Sequence, residues 1–485
     1  MPLLETKGAA SAQGFGFTSA VAAANYIEDV FSTYLYTGTG ASLTITNGID
    51  LSTKGGLVWM KGRSGATNHA LYDTARGTTK DLVSNDSTAE TTQSTGLTAF
   101  GTTGFTIGAL AKINTNAATY ASWTFREQSK FFDVVTYTGD GVQNRAVPHS
   151  LGSTPGCIIV KRTNSAGSWY VWHRSINPAW TGGTTAGDIT GGNNTGYISL
   201  DSTSSFQSGP GLFTYVNSTA FGVYKSGLDL NGNGDSYVAY LFAHDAGGFG
   251  ASGTDNVISC GSFTGNTTVN LGFEPQWILL KNSGASGDWY IHDTMRGWPV
   301  SGDAKVLYPN LSSAEGDTSQ IYPNATGFST LIGGGTYIYI AIRRGPMRTP
   351  TTGTSVYKVN YDATYNPDST LLSVGFPPDS VLYVPFLQNA GSKTPLFLDR
   401  LRGNRNYLNT SSTAAENVVS GNIWDDQNSF APDIMGNASS AVLYYFRRAP
   451  GFFDVVCYTG TAPTSQNLTH NLGVAPEFII IKRRN

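Results

Sequence analysis

Apolar residues fall on alternate positions in four short stretches of this chain: Ala121, Trp123 and Phe125; Val238, Tyr240 and Phe242; Ile338, Ile340 and Ile342; Val442, Tyr444 and Phe446. A period of two places each set on one face of a β-strand, and an apolar face predicts that the strand is half-buried. A second pattern is an unbroken apolar run closing in lysine: LVWMK (57–61), CIIVK (157–161), WILLK (277–281) and FIIIK (478–482). Runs that are apolar on both faces predict central strands. No stretch sustains helical periodicity, and none approaches the apolar length of a bilayer-crossing helix. The spacing allows only a short helix over 26–30. With Gly, Pro, Asn and Ser turns between many short strands, antiparallel β-sandwiches are the expected fold.

These elements recur in a fixed order, which makes the repeat the primary signal. A strand closing in Y-T-G stands at Tyr36, Tyr137 and Tyr458, with a variant at Phe263 and a degenerate copy around Tyr357. The apolar run follows it, then D-x-x-R-G at Asp73, Asp293 and Asp399. A line ending in Ala-Glu comes next, at Glu90, Glu315 and Glu416, and the alternating strand comes last. The reading is an N-terminal arm (1–29) and four sandwich units at 30–129, 131–247, 256–349 and 355–449. The start of a fifth lies at 452–485. Unit 2 is divergent: it reads HRSIN from His173 where D-x-x-R-G is expected, and it carries the insertion WTGGTTAGDITGGNNTG from Trp180. Short linkers such as REQSK and RRAPG predict a semi-rigid string of separately cored domains. The fifth unit presents its first two lines only. Half a sandwich leaves an open edge and an unburied face, so either the natural chain continues beyond Asn485 or another chain completes the unit by strand addition.

Composition narrows the partners. A chain of 485 residues exceeds one ordinary core, and 13% charged residues with a net charge of −3 argue against nucleic acid or an anionic membrane as the main partner. The three cysteines, Cys157, Cys260 and Cys457, are too few and scattered for a disulfide framework and are expected to be small buried hydrophobes. Glu5, with Gln13, Gly14 and Gly16 interrupting the Ala-rich run, argues against a signal peptide.

Several clusters could carry chemistry. In D-x-x-R-G, Asp73, Asp293 and Asp399 can pair with Arg76, Arg296 and Arg402 three residues on. Gly77, Gly297 and Gly403 then take a backbone conformation other residues resist. Recurrence in three units favours a structural turn over a clamp for anionic sugars or phosphate. Asp73 with Glu90 invites a glycosidase-type carboxylate pair, but nothing in the sequence sets their separation. No nucleophile elbow or metal-spaced histidine pair is present, so no catalytic residue is assigned and no enzyme activity is expected. His149 and His470 hold the same position before Leu-Gly and read as turn residues. DLNGNGD matches half of a calcium loop, making Asp229, Asn231, Asn233 and Asp235 a possible calcium site, although a hairpin tip comes first. Calcium apart, no cofactor is expected. Trp169 and Trp289, if their rings face solvent, could stack on a sugar.

The order Y-T-G, L-G-x-x-P followed by an apolar run and K-R, then W-Y-φ-H and D-x-x-R-G resembles modules of cyanophage and other marine bacteriophage tail and virion-associated proteins. It is also similar to phage members of the concanavalin-A-like jelly-roll class, and it covers nearly the whole chain. The resemblance implies a virion structural protein located at the tail or particle surface. A tail fibre or tail-associated protein that presents loops to host glycans is favoured. Its partners would be other virion proteins and copies of itself, with no nucleic acid and no membrane insertion. A decoration or scaffold protein that binds only virion proteins is the alternative, and a polysaccharide depolymerase a further one.

Overall fold

The computed structural model describes residues 24–176, 196–208, 212–224, 230–362, 374–385, 394–419, 424, 427–428 and 441–485. The arm before residue 24, Asp229 and nearly all of the unit 2 insertion lie outside them. The described fold is all-β and antiparallel, with a 3-10 turn at Ile27–Asp29 where a short helix is expected.

Units 1 to 3 share one plan. In unit 1 the main sheet runs Phe31–Thr37, Thr119–Arg126, Gly56–Gly62, Ala70–Asp73, so the last strand lies between the first and the apolar run. A smaller sheet of Leu43–Thr46, Gly104–Ile107 and Leu97–Phe100 covers one face. Unit 2 repeats the order with Phe132–Thr138, Ser236–Phe242, Cys157–Arg162 and Tyr170–His173. Unit 3 repeats it with Ile258–Thr264, Thr336–Arg343, Pro275–Asn282 and Trp289–Asp293. In unit 4, Ala441–Phe446 again lies between Tyr357–Asp362 and Ser380–Pro385. The register is conserved as well: Phe31 faces Phe125, Phe132 faces Phe242, Ile258 faces Ile342 and Tyr357 faces Phe446.

The apolar runs are buried on both faces because two different cores claim them. Val58 and Met60 point into the interior of their own sandwich with Leu97, Phe105 and Ile107. Leu57 and Trp59 point the other way, into a cluster that also holds residues of units 2 and 3. The alternating strands present Ala121, Trp123 and Phe125, then Val238, Tyr240 and Phe242, then Ile338, Ile340 and Ile342 to this shared core. There the Phe125 ring stands 5.7 Å from Phe242 of unit 2 and 5.6 Å from Trp277 of unit 3, edge-on to both. Units 1 and 3 keep interiors of their own, but the expected string is corrected for units 1–3, which also share a core. A linker only a few residues long lets neighbouring sheets meet face to face, and large apolar residues on both faces favour that over exposure.

Unit 4 has its own core around Val381, Tyr383, Leu398, Leu443 and Tyr445. It docks on the rim of units 1–3, with Val300 N–H donating to Leu401 O (2.9 Å) and Leu35 N–H to Gln427 Oε1 (3.0 Å). On its other main-sheet face Val359 is 45% and Tyr361 65% exposed. Residues 452–485 follow, carrying no assigned strand and exposing their apolar run.

Candidate functional site

The repeated motifs converge on the seams between units. At the end of Ala70–Asp73, the Asp73 carboxylate accepts Arg76 N–H (2.8 Å) and Arg76 Nε (2.6 Å), which folds the arginine back over the turn. Its guanidinium also reaches Leu71 O (3.1 Å) and Glu90 Oε2 (3.0 Å). Unit 3 repeats this with Asp293, Arg296, Ile291 O and Glu315. Unit 4 does so with Asp399, Arg402 and Phe397 O, and Glu416 stands 3.9 Å away. Gly77, Gly297 and Gly403 have φ of 93°, 110° and 118°, in the left-handed region that a Cβ disfavours. The arginine thus explains why the D-x-x-R-G and Ala-Glu lines travel together. It lies between Asp73 and Glu90 and binds both, so one guanidinium bridges the two carboxylates.

The same aspartates reach across the seams. Asp73 Oδ2 accepts the Tyr240 hydroxyl of unit 2 (2.8 Å), and Asp293 Oδ2 accepts Trp123 Nε1–H of unit 1 (3.0 Å). Arg296 lies over the Trp123 ring, 5.4 Å from its centroid. At the third seam His173 replaces the aspartate, and Ile340 occupies the place of Trp123 and Tyr240. Acceptor and donor are lost together, and His173 Nε2 instead meets Tyr339 O at 3.0 Å. Burial pushes the His173 pKa down to about 3, so the imidazole is neutral and can share an apolar seam with Ile340. This pairs the loss of D-x-x-R-G in unit 2 with the loss of the donor in unit 3.

A lysine closes each seam. Lys161 Nζ donates to Ser87 O of unit 1 (2.8 Å), Lys281 to Thr203 O of unit 2 (3.2 Å) and Lys61 to Ser313 O of unit 3 (2.8 Å). Burial lowers all three ammonium pKa values to about 8. Beside each lysine a backbone bond repeats: Glu90 N–H to Thr163 O, Phe206 N–H to Ser283 O and Glu315 N–H to Arg63 O, each 2.9 Å. Arg63 also forks onto Glu315 at 2.9 and 2.8 Å. The seams join 1 to 2, 2 to 3 and 3 to 1, and so close a ring with approximate threefold symmetry.

The tryptophans proposed for sugar stacking belong to these seams, which corrects that expectation. Trp169 is 0% and Trp289 2% exposed. Trp169 Nε1–H donates to Val83 O of unit 1 (2.8 Å), and Trp289 Nε1–H to Ser199 O of unit 2 (2.9 Å). His69 fills the third place. Its Nδ1 accepts Trp59 Nε1–H (2.8 Å), which leaves Nε2–H to donate to Tyr308 O of unit 3 (2.9 Å). The alternation of Trp and Tyr was readable in the sequence, but which neighbour covers the strand was not.

Asn231 of the calcium candidate ties two loops together, and its segment links strands of two different sheets, so the expected hairpin tip is corrected. Its amide donates to Asp140 Oδ1 and Val142 O, both at 2.7 Å, as Asn114 in unit 1 donates to Ala41 O (2.5 Å). Asp235 faces Arg162 (3.2 Å) and Asn164 (3.1 Å), while Asn233 is exposed in the loop. Among the described residues, no group of three or more His, Cys, Asp or Glu side chains is placed to hold a metal ion. Cys157 and Cys260 are buried thiols, and Cys457 is partly buried.

Sequence reading missed a buried ion cluster where unit 3, unit 4 and segment 452–485 meet. Arg448 forks onto Glu274 with both bonds at 2.8 Å and reaches Asp454 at 2.7 Å. It also missed the seam lysines, although a lysine ending every apolar run was a usable signal.

The chain belongs to a family described as a domain of unknown function (DUF7483), whose profile matches residues 27–346. That span begins at the 3-10 turn and ends just beyond the last strand of unit 3, so it covers the whole three-unit ring. No curated protein matches the chain.

Proposed function

We propose that this chain is a structural protein of a bacteriophage particle, a tail-associated or fibre component that carries surface loops on a rigid ring. The reading rests on the motif order shared with marine phage tail modules and on one observation above all. Three units are locked by the same lysine and backbone contacts into a ring, so the repeated chemistry is spent on assembly. Paired loops such as 39–41 with 115–117, and 140–144 with 231–235, lie at the ends of the main sheets. Weak contacts of such loops to host glycans would gain through many copies on one particle. The burial of Trp169 and Trp289 removes those two rings as glycan contacts.

A second reading, a decoration protein that binds only other virion proteins, is favoured by the exposure of Val359 and Tyr361 on unit 4. Purified particles labelled with an antibody to the 140–144 loop test the main proposal. Label on the tail is expected, and mass spectrometry finding the chain absent from particles overturns it. Binding to a glycan array that is lost on substitution of the loops separates attachment from decoration.

A further inference from the structure

Buried histidines bind unit 3 to both of its neighbours. His69 of unit 1 accepts Trp59 Nε1–H at Nδ1 (2.8 Å), and its Nε2–H donates across the seam to Tyr308 O of unit 3 (2.9 Å). His173 of unit 2 is arranged in the same way. Its Nδ1 accepts Ser175 N–H (3.1 Å), and its Nε2–H donates to Tyr339 O of unit 3 (3.0 Å). At that seam His244 Nδ1 also accepts Cys260 N–H of unit 3 (3.2 Å). An N–H group facing Nδ1 requires the neutral ring that carries its hydrogen on Nε2. Among the described residues no histidine bonds across the 1–2 seam, where Trp169 Nε1–H and the Tyr240 hydroxyl make the crossing bonds.

A second proton has no place on either ring. On Nδ1 it would oppose the N–H of Trp59 or Ser175, and the charge would stay buried. The charged groups that bear on His69 are the ammoniums of Lys61 and Lys112, and Lys61 in turn faces Arg296 and Glu315. Those that bear on His173 are Arg174 and His244, with the Cys157 thiol on the paired strand. Among the described residues neither histidine pairs with a carboxylate; only His244 has one beside it, Asp245 at 3.3 Å. An imidazolium at position 69 or 173 would therefore be a buried cation among cations, a state that opening to water relieves.

We propose that the ring is acid-sensitive at unit 3: protonation of His69 and His173 opens the 2–3 and 3–1 seams while units 1 and 2 stay joined. In the closed ring, burial holds His69 well below the usual histidine range and His173 at about 3. Opened to water, both return to about 6.5. Below pH 6.5 the open state binds more protons, so opening gains up to about tenfold per pH unit for each histidine. Beside the 1–2 seam, burial, with Asp133 and Asp73 adding to it, pushes the Glu127 carboxyl up to about 7. A carboxyl raised in this way favours the closed state as pH falls, so acid does not loosen that seam. The device is independent of the assignment to a phage particle.

Amide hydrogen exchange of the full chain reads each seam through one backbone bond: Glu90 N–H for 1–2, Phe206 N–H for 2–3 and Glu315 N–H for 3–1. Between about pH 7 and pH 5, corrected for intrinsic exchange, protection at Phe206 and Glu315 is expected to fall at least about thirtyfold, while Glu90 changes less than about threefold. His69→Gln with His173→Gln keeps a neutral donor and acceptor at each site and should remove most of that fall. Equal losses at all three seams, no loss at any, or an undiminished loss in the double variant overturns the proposal. If the double variant fails to fold, the contrast among the three seams of the unsubstituted chain still decides the matter.

Discussion

Units 1–3 and unit 4 carry the same strands in the same register, yet they treat the same face in opposite ways. Leu35 in unit 1 and Tyr361 in unit 4 sit at equivalent positions opposite Ala121 and Val442; the first is 2% exposed and the second 65%. Trp123 is fully buried and bonded to Asp293, whereas its counterpart Tyr444 is only partly buried. Each sandwich satisfies one face of its main sheet with its own small sheet or core. The other face depends on neighbours: two in the ring and, among the described residues, segment 452–485 at unit 4. The largest buried apolar cluster is therefore the one that units 1–3 share.

The largest expected effect follows directly. Trp123→Ala should cost about 3–5 kcal/mol, through lost packing and the stranded Asp293, whereas Tyr444→Ala should cost about 1 kcal/mol or less. Chemical denaturation of the two variants checks this, and equal losses would remove the distinction between the two regions. Next, Asp293→Ala leaves the buried Arg296 without its main partner and should cost about 3–5 kcal/mol. The same measurement reads it, and a loss under about 1 kcal/mol would mean the turn contributes little.

The third seam sharpens the comparison within the ring. His173→Asp alone sets a carboxylate against Ile340 and should destabilise. Ile340→Tyr in the same chain supplies the missing hydroxyl and should recover about 0.5–3 kcal/mol of coupling. A double-mutant cycle measures it, and simple additivity would show that donor and acceptor do not depend on each other.

The smallest effect is a pH dependence. Lys61, Lys161 and Lys281 titrate near 8 in the fold against an ordinary 10.5. Below pH 8 they are charged in both states, and the cost of burying the charge is fully present. Between about 8 and 10.5 the unfolded chain binds more protons, so stability should rise with pH across that window. Melting temperature against pH reads the rise, and Lys161→Met should flatten part of it; an unchanged slope would mean the ammonium is better solvated than its burial implies.

Much of the fold was legible because strand periodicity is local. The alternation at 121–125 and the unbroken run at 157–161 announce their strands without knowledge of the partners. The Asp–Arg turn was legible for the same reason, since its two residues lie three apart. Trp169 was not. Its environment depends on Val83 O of another unit, a contact that no local pattern encodes. Tyr240 and Trp123 were read only as members of an apolar face, because burial and hydrogen bonding to a distant aspartate leave the same mark on the sequence.

By itself, the order of side chains along this polypeptide determined the main-sheet strands of units 1–4, which face of each is apolar, and the order in which they recur, whereas the expected strand at 478–482 is absent. Tertiary structure alone decided what those faces meet: a small sheet of the same unit, two neighbouring units, or solvent. The reason is physical. Periodicity reports that a surface must leave water, but the hydrophobic effect has no direction, so the choice of partner falls to the few oriented bonds made by Asp73, Asp293, Trp169, Trp289 and the seam lysines.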